Sequence, residues 1–178
     1  MSRSRSGLRV PAGYAVGLLV LLVARPRLGW LPAAFFLILA GEAVRLWASG
    51  HIEKARTLAT GGPYAHTRNP LYLGSLLMGL GAGVAAASPW AVLAIAVYFA
   101  AFYPAVMREE AAFLRQRFAD DYARWELGVP AFFPRLTPAG PRASRFAWHR
   151  VRENREWNTA FAIPVLLSAL VAWARWRP

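Results

Sequence analysis

Long apolar runs separated by short polar stretches dominate the chain, and this pattern predicts helices that cross a membrane. The apolar segments are Val10 to Ala24, Leu28 to Ser49, Leu71 to Ser88, Trp90 to Met107 and Ala160 to Trp176. The last four each approach the roughly 20 residues that a helix needs to cross a hydrocarbon core. The first is shorter, and it spans the bilayer only if tilted neighbours or local thinning help it. We therefore predict an all-α polytopic membrane protein, a helical bundle of about five transmembrane helices.

An amphipathic stretch follows the fourth apolar segment. Its large apolar residues recur at helical spacing, at Leu114, Phe118, Tyr122 and Trp125, while charged residues occupy other positions. This spacing predicts a cytosolic amphipathic helix that lies along the membrane or over a site. Prolines between Pro130 and Pro141 then interrupt regular structure, and we expect a short polar helix from Arg145 to Trp157.

The composition supports a membrane protein and excludes several other classes. Hydrophobic residues make up 57% of the chain and charged residues 17%. The net charge is +12, and the basic residues are 20 Arg and one Lys. We assign this charge to attraction for anionic lipid headgroups, because no nucleic-acid-binding motif accompanies it. The absence of Cys excludes disulfides and thiolate metal ligands, and the three His have no metal-ligand spacing. We therefore predict no metal site and no nucleic-acid partner.

The distribution of basic residues predicts which helix ends face the cytoplasm. We interpret the basic N-terminus as the start of a retained first helix, because no signal-peptide cleavage site followed by a soluble domain is evident. With the N-terminus in the cytoplasm, sixteen basic residues lie inside and four lie outside. If the first segment is only interfacial, the N-terminal end flips while the later loops keep their side.

Two polar clusters stand at the predicted cytoplasmic ends of the third and fourth segments. The first runs from Gly61 to Gly74, and the second is Arg108-Glu109-Glu110. A two-residue turn at Ser88-Pro89 makes the third and fourth helices an antiparallel hairpin, so we expect the two clusters to be neighbours. Polar groups at the edge of a bilayer are costly to hold in place and usually serve a site.

Together these clusters resemble the isoprenylcysteine carboxyl methyltransferase and phospholipid methyltransferase family of integral membrane enzymes. The matching elements are Gly62-Pro63-Tyr64, Arg68-Asn69-Pro70-Leu71-Tyr72-Leu73-Gly74, Arg108-Glu109-Glu110, Leu114, Phe118, Tyr122 and Val129-Pro130. The resemblance covers residues 41–135 and implies a single membrane methyltransferase domain over 1–178, with a C-terminal span at 160–176. Asn69 stands where the family usually has His, which argues against a proton-transfer role there but keeps a group that can hydrogen-bond a ligand. Ala119 replaces a Gly and Trp125 a Tyr, and we expect packing to tolerate both.

The resemblance implies S-adenosylmethionine as the cofactor and S-adenosylhomocysteine as its product. It assigns catalytic roles to Arg108 and Glu110, and cofactor binding to Tyr64, Arg68, Asn69, Pro70, Tyr72, Gly74, Glu109, Glu110 and Tyr122. The chemistry of these side chains agrees with that cofactor. Glu109 or Glu110 can hold its ammonium group and Arg68 its carboxylate, while Tyr64 or Tyr72 can face the sulfonium or stack on the adenine.

The acceptor that the resemblance implies is lipophilic, and the site is expected to face the cytoplasm. A carboxylate of an isoprenoid-like or other lipid needs no general base, and Arg108 could orient it. A phospholipid amine is the alternative, and it needs a proton acceptor such as His51, His66 or a glutamate. Two other classes stay open: a nicotinamide-dependent membrane reductase of similar architecture, and a scaffold in which the clusters only lock the helices.

A charged pair lies inside the second apolar segment. Glu42 and Arg45 are one helical turn apart, so we expect them to pair with each other and fix helix packing. The alternative is that they line the cofactor cavity, because charges within a membrane segment often mark a site.

Overall fold

The computed structural model describes residues 5–53, 57–140, 144–157, 168–169, 171–173 and 175–176. Across these residues the chain is helical and has no strand, which confirms the all-α prediction. The helices are α1 Arg5–Val23, α2 Leu31–Ser49, α3 Pro70–Ala85, α4 Pro89–Gly128 and α5 Trp148–Glu153. Short 3-10 helices at Leu28–Trp30 and Gly62–Ala65 lie ahead of α2 and α3.

The chain forms two compact units, and α2, α3 and α4 each contribute residues to both. The first unit comprises Met1–Gly41, Leu76–Arg108 and Phe161–Pro178. The second unit comprises Glu42–Ser75 and Glu109–Ala160. The family motifs thus fall mainly in the second unit, while most of the apolar helical sequence falls in the first.

Small residues let the helices of the first unit approach one another closely. A Cβ atom added to Gly81 would lie 2.6 Å from a side-chain carbon of Ile38. A Cβ added to Gly79 would meet Ile95, and one added to Gly83 would meet Val92. The antiparallel order of these last two contacts confirms the predicted hairpin of α3 and α4.

The predicted amphipathic helix is continuous with the fourth apolar segment, because α4 runs from Pro89 to Gly128. Its regular geometry breaks at Ala119, whose φ of 28° and ψ of −102° lie outside the helical region. The prediction of a separate helix was therefore wrong about where that helix begins. The polar sequence starts at Arg108, but the helix changes direction eleven residues later, at Ala119.

The core of the second unit is aromatic. Tyr122, Trp125 and Val129 are buried together with Tyr64 and Ala48. Trp125 is only 1% exposed, and its indole Nε1 donates a hydrogen bond of 3.0 Å to the backbone oxygen of Tyr64. The apolar face of the amphipathic stretch therefore packs onto the first motif, as its spacing predicted.

Within the part of the chain that the structure describes, two helices are long and apolar enough to cross a membrane, and they cover Leu28–Ser49 and Pro89–Gly128. Gly7–Val23 and Pro70–Ala85 are apolar but shorter. Most of the fifth predicted segment, Ala160 to Trp176, lies outside the described residues. A membrane protein with helices of spanning length is thus supported, and the five-span arrangement stays a prediction.

Candidate functional site

The loop that carries the first motif is tied to a proline-rich stretch, residues 129–140, that follows α4. The backbone N–H of Arg68 donates to the carbonyl of Pro130 at 2.9 Å. The side-chain amide of Asn69 donates to the carbonyl of Ala131 at 2.8 Å, and the hydroxyl of Thr67 donates to that of Phe132 at 2.8 Å. These bonds fix the backbone on both sides of Arg68, so its side chain extends from a rigidly held part of the loop.

A tight turn places Tyr64 in the interior of this loop. Gly62 has a φ of 57°, a left-handed conformation that glycine adopts without strain. A Cβ atom there would also lie 2.4 Å from the imidazole of His51, so both the backbone and the space require glycine. Burial raises the pKa of the Tyr64 hydroxyl well above its ordinary value, and the charge of Glu110 raises it further. Tyr64 therefore stays a neutral hydroxyl at physiological pH.

The two motifs meet through a hydrogen bond between side chains. The hydroxyl of Tyr72 donates to Oε2 of Glu110 at 3.0 Å. Tyr72 lies in the first turn of α3, whereas Glu110 lies in the second half of α4. The predicted proximity of the clusters is confirmed for these two residues.

Arg68 belongs to a charge network that the motif search did not include. Its Nη1 contacts Oε2 of Glu126 at 2.8 Å and donates to the hydroxyl of Tyr122 at 3.2 Å. Glu126 also accepts two hydrogen bonds from Arg115, from Nε at 3.2 Å and from Nη2 at 2.7 Å. The hydrogen bonding of Arg115 holds the pKa of the Glu126 carboxyl below its usual value, and the positive charges of Arg115 and Arg68 add to this. Glu126 is thus ionised at neutral pH and orients Arg68.

A cavity of about 280 Å³ in the second unit collects residues from both motifs. Its lining residues are Ile52, Glu53, Thr57, Leu58, Ala59, Tyr64, Arg68, Glu110, Phe113, Leu114, Phe118 and Trp125. The wall is mainly apolar and aromatic, with a few charged side chains, which is the usual composition of a small-molecule site. Nε of Arg68, one of the lining residues, is buried and has no hydrogen-bond partner among the residues that the structure describes.

The structure separates the predicted site residues into two groups. Tyr64, Arg68 and Glu110 line the cavity, whereas Asn69, Pro70, Tyr72, Gly74, Arg108, Glu109 and Tyr122 do not. Tyr72 and Tyr122 instead hydrogen-bond Glu110 and Arg68, so they position cavity residues. Asn69 holds the loop through Ala131, and Arg108 is exposed. The ligand-binding roles assigned to all of these residues stay predictions.

Glu53 is a cavity residue that the motif search missed. It follows α2, and its carboxylate pairs with the guanidinium of Arg150 in α5. No local pattern connects these residues, since 97 positions separate them. The cavity therefore contains one carboxylate held by an arginine, Glu53, and one held by a tyrosine, Glu110.

The expected pairing of Glu42 with Arg45 was wrong. Arg45 forms an ion pair with Glu156 and donates to the hydroxyl of Ser75 at 2.6 Å. Glu42 is 5% exposed, and neither of its carboxylate oxygens has a hydrogen-bond partner among the described residues. The pairing changes because Glu156, far along the chain, takes the guanidinium.

The two histidines considered as bases have structural contacts. His51 is buried, and its Nδ1 lies 2.8 Å from the backbone oxygen of Trp47. His66 likewise places Nδ1 2.8 Å from the backbone oxygen of Arg135. Neither lines the cavity.

Comparison with known proteins identifies similar sequences. A family model described as phospholipid methyltransferase matches residues 27–121. The cobalt-zinc-cadmium resistance protein CzcN of Cupriavidus metallidurans is 46% identical over 97 residues, which are 52% of this chain and 44% of that protein. The nickel-cobalt-cadmium resistance protein NccN of Alcaligenes xylosoxydans xylosoxydans is 36% identical over 144 residues, which are 75% of this chain and 65% of that protein. The chain thus spans less than two thirds of each relative, and no solved structure matches it significantly.

Proposed function

The chain belongs to the phospholipid methyltransferase family, and from this premise we propose that it moves a methyl group from S-adenosylmethionine to a lipophilic acceptor. The observation that carries the proposal is the cavity where the two motifs meet. Tyr64 and Arg68 come from the first motif and Glu110 from the second, and all three line it. A packed core could be built without bringing these polar groups together, so their convergence supports a site.

The charged groups of the cavity suit the amino-acid end of the cofactor. The carboxylate of Glu110 is held by Tyr72 and can accept hydrogen bonds from an ammonium group. Arg68 also lines the cavity, and its guanidinium can pair with a ligand carboxylate while Nη1 stays on Glu126.

The apolar wall suits the rest of the cofactor. Phe113, Phe118 and Trp125 line the cavity, and aromatic side chains suit both an adenine and a positively charged sulfonium. When bound, the cofactor supplies a methyl group on sulfur, and the carbon–sulfur bond breaks as the bond to the acceptor forms. The residues of the chain bind and orient the cofactor and the acceptor, and they exclude water from the site. These effects account for most of what an enzyme contributes to an in-line transfer.

The acceptor that we favour is a lipid carboxylate, which is methylated on oxygen. Such an acceptor gives up no proton. Neither His51 nor His66 lines the cavity, and its two glutamates are already engaged, Glu53 by Arg150 and Glu110 by Tyr72. A phospholipid amine is the alternative, and it would release a proton on methylation. Labelled methyl groups separate the two, because mild alkali releases methanol from an ester and leaves an N-methyl group intact.

We also propose that the protein is multi-pass, with five spans and a cytoplasmic site. The excess of basic residues on the predicted inner side supports this orientation. The absence of Cys makes the test direct, because a single introduced Cys is the sole reactive thiol. Cys placed at the exposed Asp121 should react with an impermeant maleimide in inverted vesicles and not in intact spheroplasts. The reverse labelling pattern would overturn the orientation.

Isothermal titration of S-adenosylhomocysteine into the detergent-purified full chain tests the cofactor. We expect micromolar binding by the wild type and a loss of at least about tenfold in Glu110→Gln and in Arg68→Ala. Glu153→Gln, an exposed acidic residue of α5, is the matched control and should bind like the wild type. Absence of binding by folded protein in nanodiscs would reject the methyltransferase proposal. Binding of a nicotinamide dinucleotide instead would favour the reductase, and binding of neither would favour the scaffold.

The names of the two relatives support a second proposal, at the level of physiology. We propose that the activity contributes to resistance to cobalt, zinc, cadmium or nickel ions. A strain lacking the gene should then grow less well than its parent in graded concentrations of these salts. Complementation by the wild type but not by Glu110→Gln would tie resistance to the cavity. Equal complementation by both would separate resistance from methyl transfer.

A further inference from the structure

The first unit contains a groove whose lining shares no residue with the lining of the cavity in the second unit. It has a volume of about 440 Å³ and is lined by Leu31, Phe35, Ser168, Val171, Ala172 and Arg175. Leu31 and Phe35 are one turn apart on α2. The other four are helical residues near the C-terminus, and their positions have the spacing of one helix face. The groove is therefore mainly apolar and lies between α2 and these C-terminal residues.

The groove carries its charge at one end. Arg175 is the charged residue among the described lining residues, and seven positions separate it from Ser168, which corresponds to about 10 Å along a helix axis. None of the six lining residues is acidic. Within this lining no carboxylate competes for the guanidinium, which can pair with an anion that enters the groove beside it.

Aromatic residues locate this end at the surface of a bilayer. Trp30 directly precedes Leu31 and is 54% exposed, and Trp176 directly follows Arg175 and is 90% exposed. Exposed tryptophans in membrane proteins concentrate at the level of the lipid headgroups. Arg25 and Arg27, just before α2, are exposed as well. The apolar part of the groove thus extends from a basic, aromatic rim toward the hydrocarbon.

We propose that this groove binds an anionic phospholipid, with an acyl chain against Leu31, Phe35 and Val171 and the phosphate at Arg175. A phospholipid combines a long apolar chain with an anion at one end, and the groove has the complementary order. Headgroup charge selects among lipids, since a basic residue at the membrane surface favours anionic over zwitterionic lipids by about fivefold. The proposal does not depend on the methyltransferase activity, because the groove belongs to the other unit.

Native mass spectrometry of the full chain in detergent tests the proposal. The probes are phosphatidylglycerol and phosphatidylcholine with identical acyl chains. We expect the wild type to retain phosphatidylglycerol about fivefold better. Arg175→Gln should lose that preference, Arg175→Lys should keep it, and Ala172→Trp, which fills the groove, should weaken both lipids. Arg152→Gln, an exposed arginine of α5, should behave like the wild type.

Three results would overturn the proposal. The first is equal retention of the two lipids by the wild type, and the second is an unchanged preference in folded Arg175→Gln. The third is a wild-type dimer in size-exclusion chromatography with light scattering that Ala172→Trp converts to monomer, because a second copy would then occupy the groove. Thermal unfolding of each variant confirms that a loss of lipid binding does not reflect loss of the fold.

Discussion

The hydroxyl of Tyr72 donates a hydrogen bond of 3.0 Å to Oε2 of Glu110, which follows it by 38 residues. Glu110 remains exposed at the cavity, and a flexible carboxylate would lose conformational freedom on binding a ligand. The tyrosine orients the carboxylate before any ligand arrives. Removing the hydroxyl oxygen of Tyr72 should therefore change the affinity for a ligand by a measurable amount.

Tyr72→Phe should weaken the binding of S-adenosylhomocysteine by roughly 3- to 10-fold, since Glu110 loses a donor that orients it. Isothermal titration gives the ratio directly. Tyr14→Phe, which removes a hydroxyl from a tyrosine that is 78% exposed, is the control and should leave affinity unchanged. Equal affinity of wild type and Tyr72→Phe would show that the ligand does not use Glu110 in this orientation.

The stability of the second unit should depend on pH through Glu126. Its pKa is lower in the folded chain than its ordinary value of 4.5, so its interactions stabilise the fold above that pH and are lost as pH falls below it. The melting temperature in detergent should therefore drop between pH 6 and pH 3.5, and less steeply in Glu126→Gln. Glu153→Gln should follow the wild-type curve. Parallel curves for the wild type and Glu126→Gln would contradict this assignment.

Ala119→Gly should stabilise the protein, in contrast to most glycine substitutions in helices. Ala119 has a φ of 28°, where an L side chain is strained by about 1–3 kcal/mol and glycine, which has no Cβ, is strained less. We expect a gain of roughly 1 kcal/mol after the entropic cost of glycine, seen as a higher melting temperature. Ala112→Gly, at an exposed position of α4 with regular geometry, should instead cost about 1 kcal/mol. A loss of stability in both variants would argue against strain at Ala119.

Arg45→Ala should destabilise the second unit far more than Glu42→Gln. Removing Arg45 leaves the buried Glu156 without its ion-pair partner, which costs about 3 kcal/mol or more. Glu42 forms no hydrogen bond with the described residues that the amide could lose, so Glu42→Gln should be neutral or stabilising. Thermal unfolding of the two variants and of Arg45→Ala/Glu156→Gln tests this, and the double variant should recover part of the loss. A large loss in Glu42→Gln would assign the carboxylate a partner outside the described chain.

Local pattern was sufficient to predict α2, α3 and the meeting of the two motifs. The length of the apolar runs predicted α2 and α3, and the short turn at Ser88-Pro89 predicted the hairpin that brings Tyr72 to Glu110. Glu126 was not predicted as a site residue because its position in the sequence is typical of a charged residue on a solvent-exposed helix face. It reaches Arg68 because the helix bends at Ala119, and the replaced family glycine was the available signal.

Ion-pair partners that are distant in sequence were not predicted for a different reason. Glu156 binds Arg45, and Arg150 binds Glu53, yet no spacing rule relates residues about a hundred positions apart. The choice of Glu156 over Glu42 for Arg45 depends on how α5 and its flanking turn pack. Such choices follow from tertiary structure alone.

The bonds between the motif loop and residues 129–140 also decide how this chain can be divided. The family match ends at residue 121, whereas Arg68, Asn69 and Thr67 take their hydrogen-bond partners from Pro130, Ala131 and Phe132. His66 and Ala65 add Arg135 and Ala139 to this pairing. A fragment cut at the end of the family match would retain the first motif but lose the backbone that holds it. Chimaeras between relatives should therefore exchange the motif loop and residues 129–140 together, although the two stretches are separate in the sequence.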